Sequence, residues 1–332
     1  MNRQLFRHHD TIGHLFVPGI KARVEHEAGG YLLRTNREGF RCRHAFEKKR
    51  APGKFRVLLF GDSYTAGDGV SDRFRYGDVL ETLIPGLEVY NFGLSGSGTD
   101  QQYLIWREMA REIEHDLVVI GVLVENIRRI VARYRPYETP DGKPVLLAKP
   151  YFTLERSGDL SLHNVPVPRE PLTESELAGD GAAHVDRGGR FEGLRRLVAK
   201  LGPDVKERLQ RWTRYQPLPA YDRPNDPDWL LMKAILTRWT SELPGPAVIC
   251  PIPLYQYIEE TASPKGYQAR FRELDAPPRV RIHDPLGDFQ QVSRAERRTY
   301  RFEVDCHLTP SAHEVLARSL ARTIEPLMAK SS

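Results

Sequence analysis

Cysteine is scarce in this 332-residue chain. Cys42, Cys250 and Cys306 are odd in number, widely spaced, and form neither a C-x-x-C pair nor a ligand-spaced group with histidine. That excludes a disulfide framework and a structural zinc site, and no metal or other cofactor is expected. Long apolar runs are missing too: no window approaches about 18 uninterrupted apolar residues, so no membrane span or membrane partner is expected. The opening MNRQLFRHHDTIGHLF carries charge and histidine where a signal peptide needs an apolar stretch of about 7 to 15 residues, which leads us to expect a cytoplasmic protein. Neither sign of charge dominates. Lys and Arg total 49 against 44 for Asp and Glu, and the net +5 is spread without a basic block, so no nucleic-acid partner is expected. Lysine is rare, 11 against 38 Arg, a skew that codon composition produces as readily as selection for phosphate or carboxylate binding.

What the chain does hold is enough apolar sequence, 40% with 9% aromatic residues, to bury a sizeable core. Short, near-continuous apolar runs lie at Phe55–Phe60, Leu87–Phe92, Leu117–Val124, Ala247–Ile252 and Arg279–His283. Apolarity without alternation is the mark of a strand covered on both faces. Helical patterns with start signals stand between them. Thr99 with Gln102 reads as a capping box before Ile105, Met109 and Ile113. Asp226-Pro227 precedes Trp229, Met232, Leu236 and Trp239, and Thr309-Pro310 precedes Leu316, Leu320, Ile324 and Leu327. Alternating strand and helix predicts an α/β fold with a doubly wound parallel sheet of about five strands, whose ligand crevice lies beyond the carboxyl ends of the strands.

Two segments fall outside that alternation. Residues 1–50 hold alternating stretches (IKARVEH, GYLLRT) separated by Ala28-Gly29-Gly30, the pattern of an N-terminal β hairpin, and the rest of the chain, 51–332, reads as the main domain. Residues 135–225 are rich in Pro, Gly and charge. They hold two short strand candidates, VLLAKPYFTLE and DLSLHNVPV, a Gly/Asp/Arg-rich stretch from Gly179 to Gly193, and a basic helical piece near Arg195 to Arg211. An insertion of this length serves as a lid, a substrate-binding arm or an oligomer contact.

Two motifs carry chemistry. The first apolar run ends in Gly61-Asp62-Ser63-Tyr64-Thr65, which puts Ser63 just past the carboxyl end of a central strand, although Asp62 or Ser63 there also suits a helix cap. Near the other end stands Asp305-Cys306-His307, directly before the last helix. A serine hydroxyl needs a base to become nucleophilic, and an imidazole needs a carboxylate to fix its tautomer and stabilise its protonated form. Asp305 and His307 supply that pair if their loop folds over the sheet edge. His313 reads as a face residue of the last helix and not as the base.

The combination resembles the SGNH, or GDSL-like, hydrolase superfamily, from about Phe40 to Leu320 with the insertion outside. The resemblance implies a three-layer, flavodoxin-like fold with Ser63 as nucleophile, Asp305 as acid and His307 as base. Asn91-Phe92-Gly93-Leu94-Ser95-Gly96 resembles the family's glycine block and makes the Gly96 amide an oxyanion donor, beside the Ser63 amide and a side-chain amide. The family's third block is usually Gly-x-Asn-Asp, whereas this chain reads Val124-Glu125-Asn126-Ile127. With Ile127 in register, Glu125 takes the donor's place; a shift of one residue gives it to Asn126, the reading adopted because a carboxylate opposes an oxyanion. The closing Asp-x-His is one residue shorter than the common Asp-x-x-His. Tyr64, Asp100 and Gln101 are expected to border the pocket, and Arg128, Arg129, Arg133 and Arg135 to follow the third strand on a helix. Arg128 and Arg129 there are either substrate-binding or part of a solvated face.

The function implied is that of a serine esterase removing a small acyl group, acetyl above all, from a hydroxylated substrate such as a carbohydrate or a secondary metabolite. No long apolar lid sequence suits a long-chain lipase. An O-acyltransferase using the same triad, or a catalytically silent binding protein on the same fold, are the alternatives.

Overall fold

The computed structural model describes residues 5–139, 141–172 and 216–329. Near the amino terminus two hairpins form, β1 (Phe6–His9) with β2 (Gly13–Phe16) and β3 (Lys21–Val24) with β4 (Tyr31–Arg34), where the sequence suggested one. The core strands follow as β5 (Phe55–Gly61), β6 (Leu87–Asn91) and β7 (Leu117–Leu123). Two further hairpins lie in the insertion, β8 (Tyr134–Glu138) with β9 (Pro144–Ala148) and β10 (Tyr151–Leu154) with β11 (Leu160–His163). The last core strands are β12 (Ala247–Ile252) and β13 (Val280–Ile282). The stretch VLLAKPYFTLE is thus two strands, parted at Lys149-Pro150, where proline cannot donate to a ladder. The Gly179–Gly193 stretch and the basic piece near Arg195 to Arg211 lie outside the described residues.

The five core strands are all parallel, in the order β13-β12-β7-β5-β6. Every residue of β5, β7 and β12 is buried, as their unbroken apolarity requires. In chain order of the core strands this is 2-1-3-4-5, the flavodoxin-like arrangement, and its switch point lies between β5 and β7.

Helices cover both faces. After β5 come α1 (Ser63–Ala66) and α2 (Tyr76–Leu83); after β6, α3 (Thr99–Ile105); after β7, a single turn α4 (Asn126–Arg129). Two long helices complete the layers, α5 (Pro227–Glu242) and α6 (Pro310–Ala329). Successive β5 side chains point to opposite faces. Leu59 meets α2 at Gly77, while the Phe60 ring meets Trp239 of α5 edge-on at 5.1 Å. Asp226 caps α5 by accepting from the Asp228 amide at 3.1 Å, with Pro227 at the first helical position. Trp229, Met232, Leu236 and Trp239 are buried on its inner face. At α3 the cap is Gly98 and not Thr99: the Gln101 side chain accepts from the Gly98 amide at 3.2 Å, one residue earlier than the sequence suggested. Among the described residues no helix is long and apolar enough to cross a membrane, and no group of three or more His, Cys, Asp or Glu side chains is placed to hold a metal ion.

Candidate active site

The place of Ser63 is set by how β5 ends. A Cβ at Gly61 would lie 1.9 Å from Thr65 Oγ1 and 2.9 Å from the Gly121 carbonyl, so only glycine lets the chain turn at once from strand into α1. Asp62 then caps α1, accepting from the Tyr64 amide at 3.0 Å, and its other oxygen takes Arg129 Nη1 at 2.7 Å. Asp62 is fully buried; burial pushes its carboxyl pKa up, against the pull of Arg129. Ser63 is left at the switch point, 4% exposed.

The Asp305-x-His307 loop comes over the sheet to meet it. His307 Nε2 lies 2.8 Å from Ser63 Oγ, and His307 Nδ1 lies 2.5 Å from Asp305 Oδ1. The short spacing works because Asp305 Oδ1 also accepts the backbone N–H of His307 at 3.1 Å, an aspartate turn that folds the carboxylate under the imidazole two residues on. Burial lowers the His307 pKa, but the Asp305 hydrogen bond and the charges of Asp68, Asp305 and Asp62 outweigh it, and the net shift is upward from 6.5. Burial raises the Asp305 pKa, yet its hydrogen bonds and charge interaction with His307 and its contact with His26 bring it down to about 2. Tyr64 braces the loop, donating its hydroxyl to the Cys306 carbonyl at 2.8 Å with its ring 5.1 Å from that of His307. Cys306 itself lines a small cleft with Tyr64, Tyr255, Ile258, Tyr300, Arg297 and Arg301 among others.

His313 is buried in α6 against Tyr76, whose amide it accepts through Nδ1 at 3.3 Å, and burial lowers its pKa to about 3. It is therefore a neutral core group.

The loop after β6 is drawn against the β5 end, with the Leu94 amide on the Gly61 carbonyl at 3.0 Å. Gly96 in that loop takes φ +78°, the left-handed region that glycine adopts freely. Asn126 is fully buried, and neither its amide nitrogen nor its oxygen has a hydrogen-bond partner among the described residues. Glu125 points elsewhere, accepting from Arg128 Nη1 at 3.3 Å.

Several expected pocket residues are committed to the framework instead. Asp100 is fully buried with Lys149 Nζ 2.5 Å from its carboxylate; burial raises its pKa against the lysine's pull. Gln101, also fully buried, donates to the Ile12 carbonyl at 2.7 Å. Both belong beneath the surface and not on the border of the pocket. Arg129 serves Asp62, and Arg128 serves Glu125 and the Pro217 carbonyl. Arg133 and Arg135 are not on a helix with them: α4 ends at Arg129, Arg133 stacks over Tyr151 at 5.0 Å, and Arg135 lies in β8. Ile127, Ile130, Val131 and Tyr134 do stand at helical spacing, yet the chain leaves the helix after Arg129 and enters β8 ahead of Pro136, which cannot donate within a helix.

Residues that sequence reasoning passed over also converge here. Asp68 accepts from Ser95 Oγ at 2.6 Å and adds charge near His307. His26 Nε2 lies 3.1 Å from Asp305 Oδ2, and the Glu27 carboxylate accepts the backbone amides of residues 303–305 at 2.6 to 3.0 Å. The pairs are separated by more than 270 residues, and nothing local marks them.

No family model matches the sequence, and no curated protein matches it. Among solved structures, the chain is similar to a member of the lipolytic protein G-D-S-L family from Veillonella parvula, at 10% identity over 81% of this chain and 97% of that one, TM-score 0.42. It is similar to the lipase Lip_vut3 from a goat rumen metagenome, at 11% identity over 81% and 97%, TM-score 0.43. A third likeness is to an acetyl xylan esterase, at 14% identity over 81% and 100%, TM-score 0.42.

Proposed function

We propose that this chain is an SGNH-type serine hydrolase that removes a small acyl group, acetyl above all, from a hydroxylated substrate such as a carbohydrate or a secondary metabolite. One observation carries the reading: the unbroken hydrogen-bonded line from Ser63 Oγ through His307 to Asp305 at a topological switch point.

In this reading His307 Nε2 takes the Ser63 proton as Oγ attacks the ester carbonyl, and Asp305 stabilises the imidazolium that results. The carbonyl oxygen becomes negative and is met by the amides of Ser63 and Gly96 and by the Asn126 side chain. The unpartnered, buried amide of Asn126 supports that role, since a donor already paired would have to break a bond to serve. His307 then returns its proton to the leaving alkoxide, and water, deprotonated by the same nitrogen, releases the acid from Ser63. Initial rates on p-nitrophenyl esters of increasing chain length test the reading. Acetate should be turned over fastest, and Ser63→Ala should be inactive while folded; equal rates for the wild type and Ser63→Ala would refute it.

A further inference from the structure

The N-terminal hairpins reach both halves of the site. From β4, the Leu32 amide donates to Ser71 Oγ at 3.1 Å, and the buried Arg41 donates to the Gly67 and Val70 carbonyls at 2.5 and 2.8 Å, gripping the loop behind the nucleophile. The tip between β3 and β4 grips the other half. There the Gly29 amide closes a turn on the His26 carbonyl at 3.0 Å, so His26 and Glu27 project together toward residues 302–305.

His26 is fixed on every side. Its ring meets Phe302 edge-on at 4.4 Å and Tyr31 at 6.0 Å, and its side chain is 9% exposed. Nδ1 accepts the Ala28 amide at 3.3 Å, which leaves the proton of the neutral ring on Nε2, the nitrogen that faces Asp305 Oδ2 at 3.1 Å. Asp305 therefore has one oxygen on His307 and the other on His26. Its loop needs such a hold where it meets solvent, just before Asp305: Glu303 is exposed, and Val304 is 84% exposed. Glu27 secures the backbone of the same loop through three successive amides.

We infer that His26 is a positioning residue of the acyl-transfer site, extending the triad to a Ser63–His307–Asp305–His26 line, with Glu27 clamping the loop that carries the acid. This rests on the reading of Ser63, His307 and Asp305 as the catalytic triad. A carboxylate held at both oxygens cannot turn about its Cβ–Cγ bond, so His307 keeps the orientation that points Nε2 at Ser63. The His26 N–H also draws charge from Asp305 and so tempers how strongly Asp305 favours imidazolium. The other groups acting on His307 are Asp68 and Asp62, with Tyr64 against its ring, and Glu27 and Tyr31 flank His26.

The test compares His26→Phe, which keeps an aromatic ring between Phe302 and Tyr31 without the donor, with His26→Gln, which keeps a side-chain N–H. The full-length chain is assayed on p-nitrophenyl acetate across pH, with folding checked by circular dichroism. His26→Phe should lose roughly tenfold in kcat with KM little changed, the scale of one hydrogen bond to a charged group. Its acid limb of kcat/KM should move to higher pH, because an Asp305 stripped of one donor holds the His307 proton more tightly. His26→Gln should recover most of both. A folded His26→Phe with wild-type kcat and pH profile would overturn the inference, as would equal impairment of the two variants. If His26→Phe does not fold, His26→Gln is compared with His26→Leu, and unchanged kcat and limb position in His26→Leu overturn it equally. Labelling of the wild type at Ser63 by a fluorophosphonate keeps the two readings apart: an unlabelled wild type removes the triad itself, whereas a labelled one with indifferent His26 variants removes only this extension.

Discussion

Asn126 and Glu125 are neighbours in sequence and opposite in circumstance, one buried with an unpartnered amide, the other paired with Arg128 and a third exposed. Asn126→Ala should therefore lower kcat by roughly a hundredfold or more, the usual loss for one oxyanion donor, with little change in the denaturation midpoint. Glu125→Gln should be nearly neutral in rate; the reverse ranking in steady-state kinetics would put Glu125 in the site. Titration is a second residue-scale expectation. In the proposed mechanism the base is neutral His307, whose pKa is raised above 6.5, so kcat/KM on a neutral ester should climb through a single ionisation above that value, with no limb from Asp305 at about 2. The stability signs are opposite for the pair. The contribution of His307 is full below its unfolded value of 6.5 and is lost as pH rises through its folded pKa, whereas that of Asp305 is present above 3.8 and lost as pH falls toward 2.

At the scale of elements, one buried ion pair stitches the insertion to the core. Lys149, at the break between β9 and β10, reaches Asp100 of α3 and also donates to the Arg129 and Ala132 carbonyls at 3.1 Å. Removing one member leaves a buried charge without its partner, so Lys149→Met should cost about 3 to 5 kcal/mol in urea unfolding. Asp100→Asn with Lys149→Met together should cost less than the single change, because neither leaves a charge behind. A loss under about 1 kcal/mol for Lys149→Met alone would contradict the burial described for the pair. This pair also marks where the sequence ran out. The core strands and the starts of α5 and α6 were readable because unbroken apolarity and Asp-Pro or Thr-Pro starts are local signals. Asp100 was readable as a residue type but not as a direction: a carboxylate on the first turn after a strand looks the same whether it faces a pocket or a lysine 49 residues away. The cap at α3 was displaced by one residue for a similar reason, since Gly98 has no side chain to announce it and the reciprocal bond comes from Gln101.

Over the whole molecule, the meeting of Ser63, His307 and Asp305 was legible because its two motifs are chemically distinctive, while the N-terminal hold on Asp305 was not, because it exists only once residue 26 and residue 305 meet. The 2-1-3-4-5 order explains why the site forms where it does. β5 and β7 are paired neighbours whose following connections lead to opposite edges, to β6 and to β12, so Ser63 and Asn126 follow the carboxyl ends of adjacent strands, and the loop before α6 brings His307 to Ser63. Base, nucleophile and oxyanion donors all come from the chain in this account, so hydrolysis of p-nitrophenyl acetate should survive EDTA and dialysis; activity that vanished and returned with a divalent ion would contradict it. The most direct measurement is peptide mass spectrometry after reaction with a fluorophosphonate, which needs an activated serine but no knowledge of the substrate. The account predicts a single adduct on the peptide containing Ser63, absent in Ser63→Ala and strongly slowed in His307→Ala. An adduct on another residue, or none on a folded wild-type protein, would contradict it.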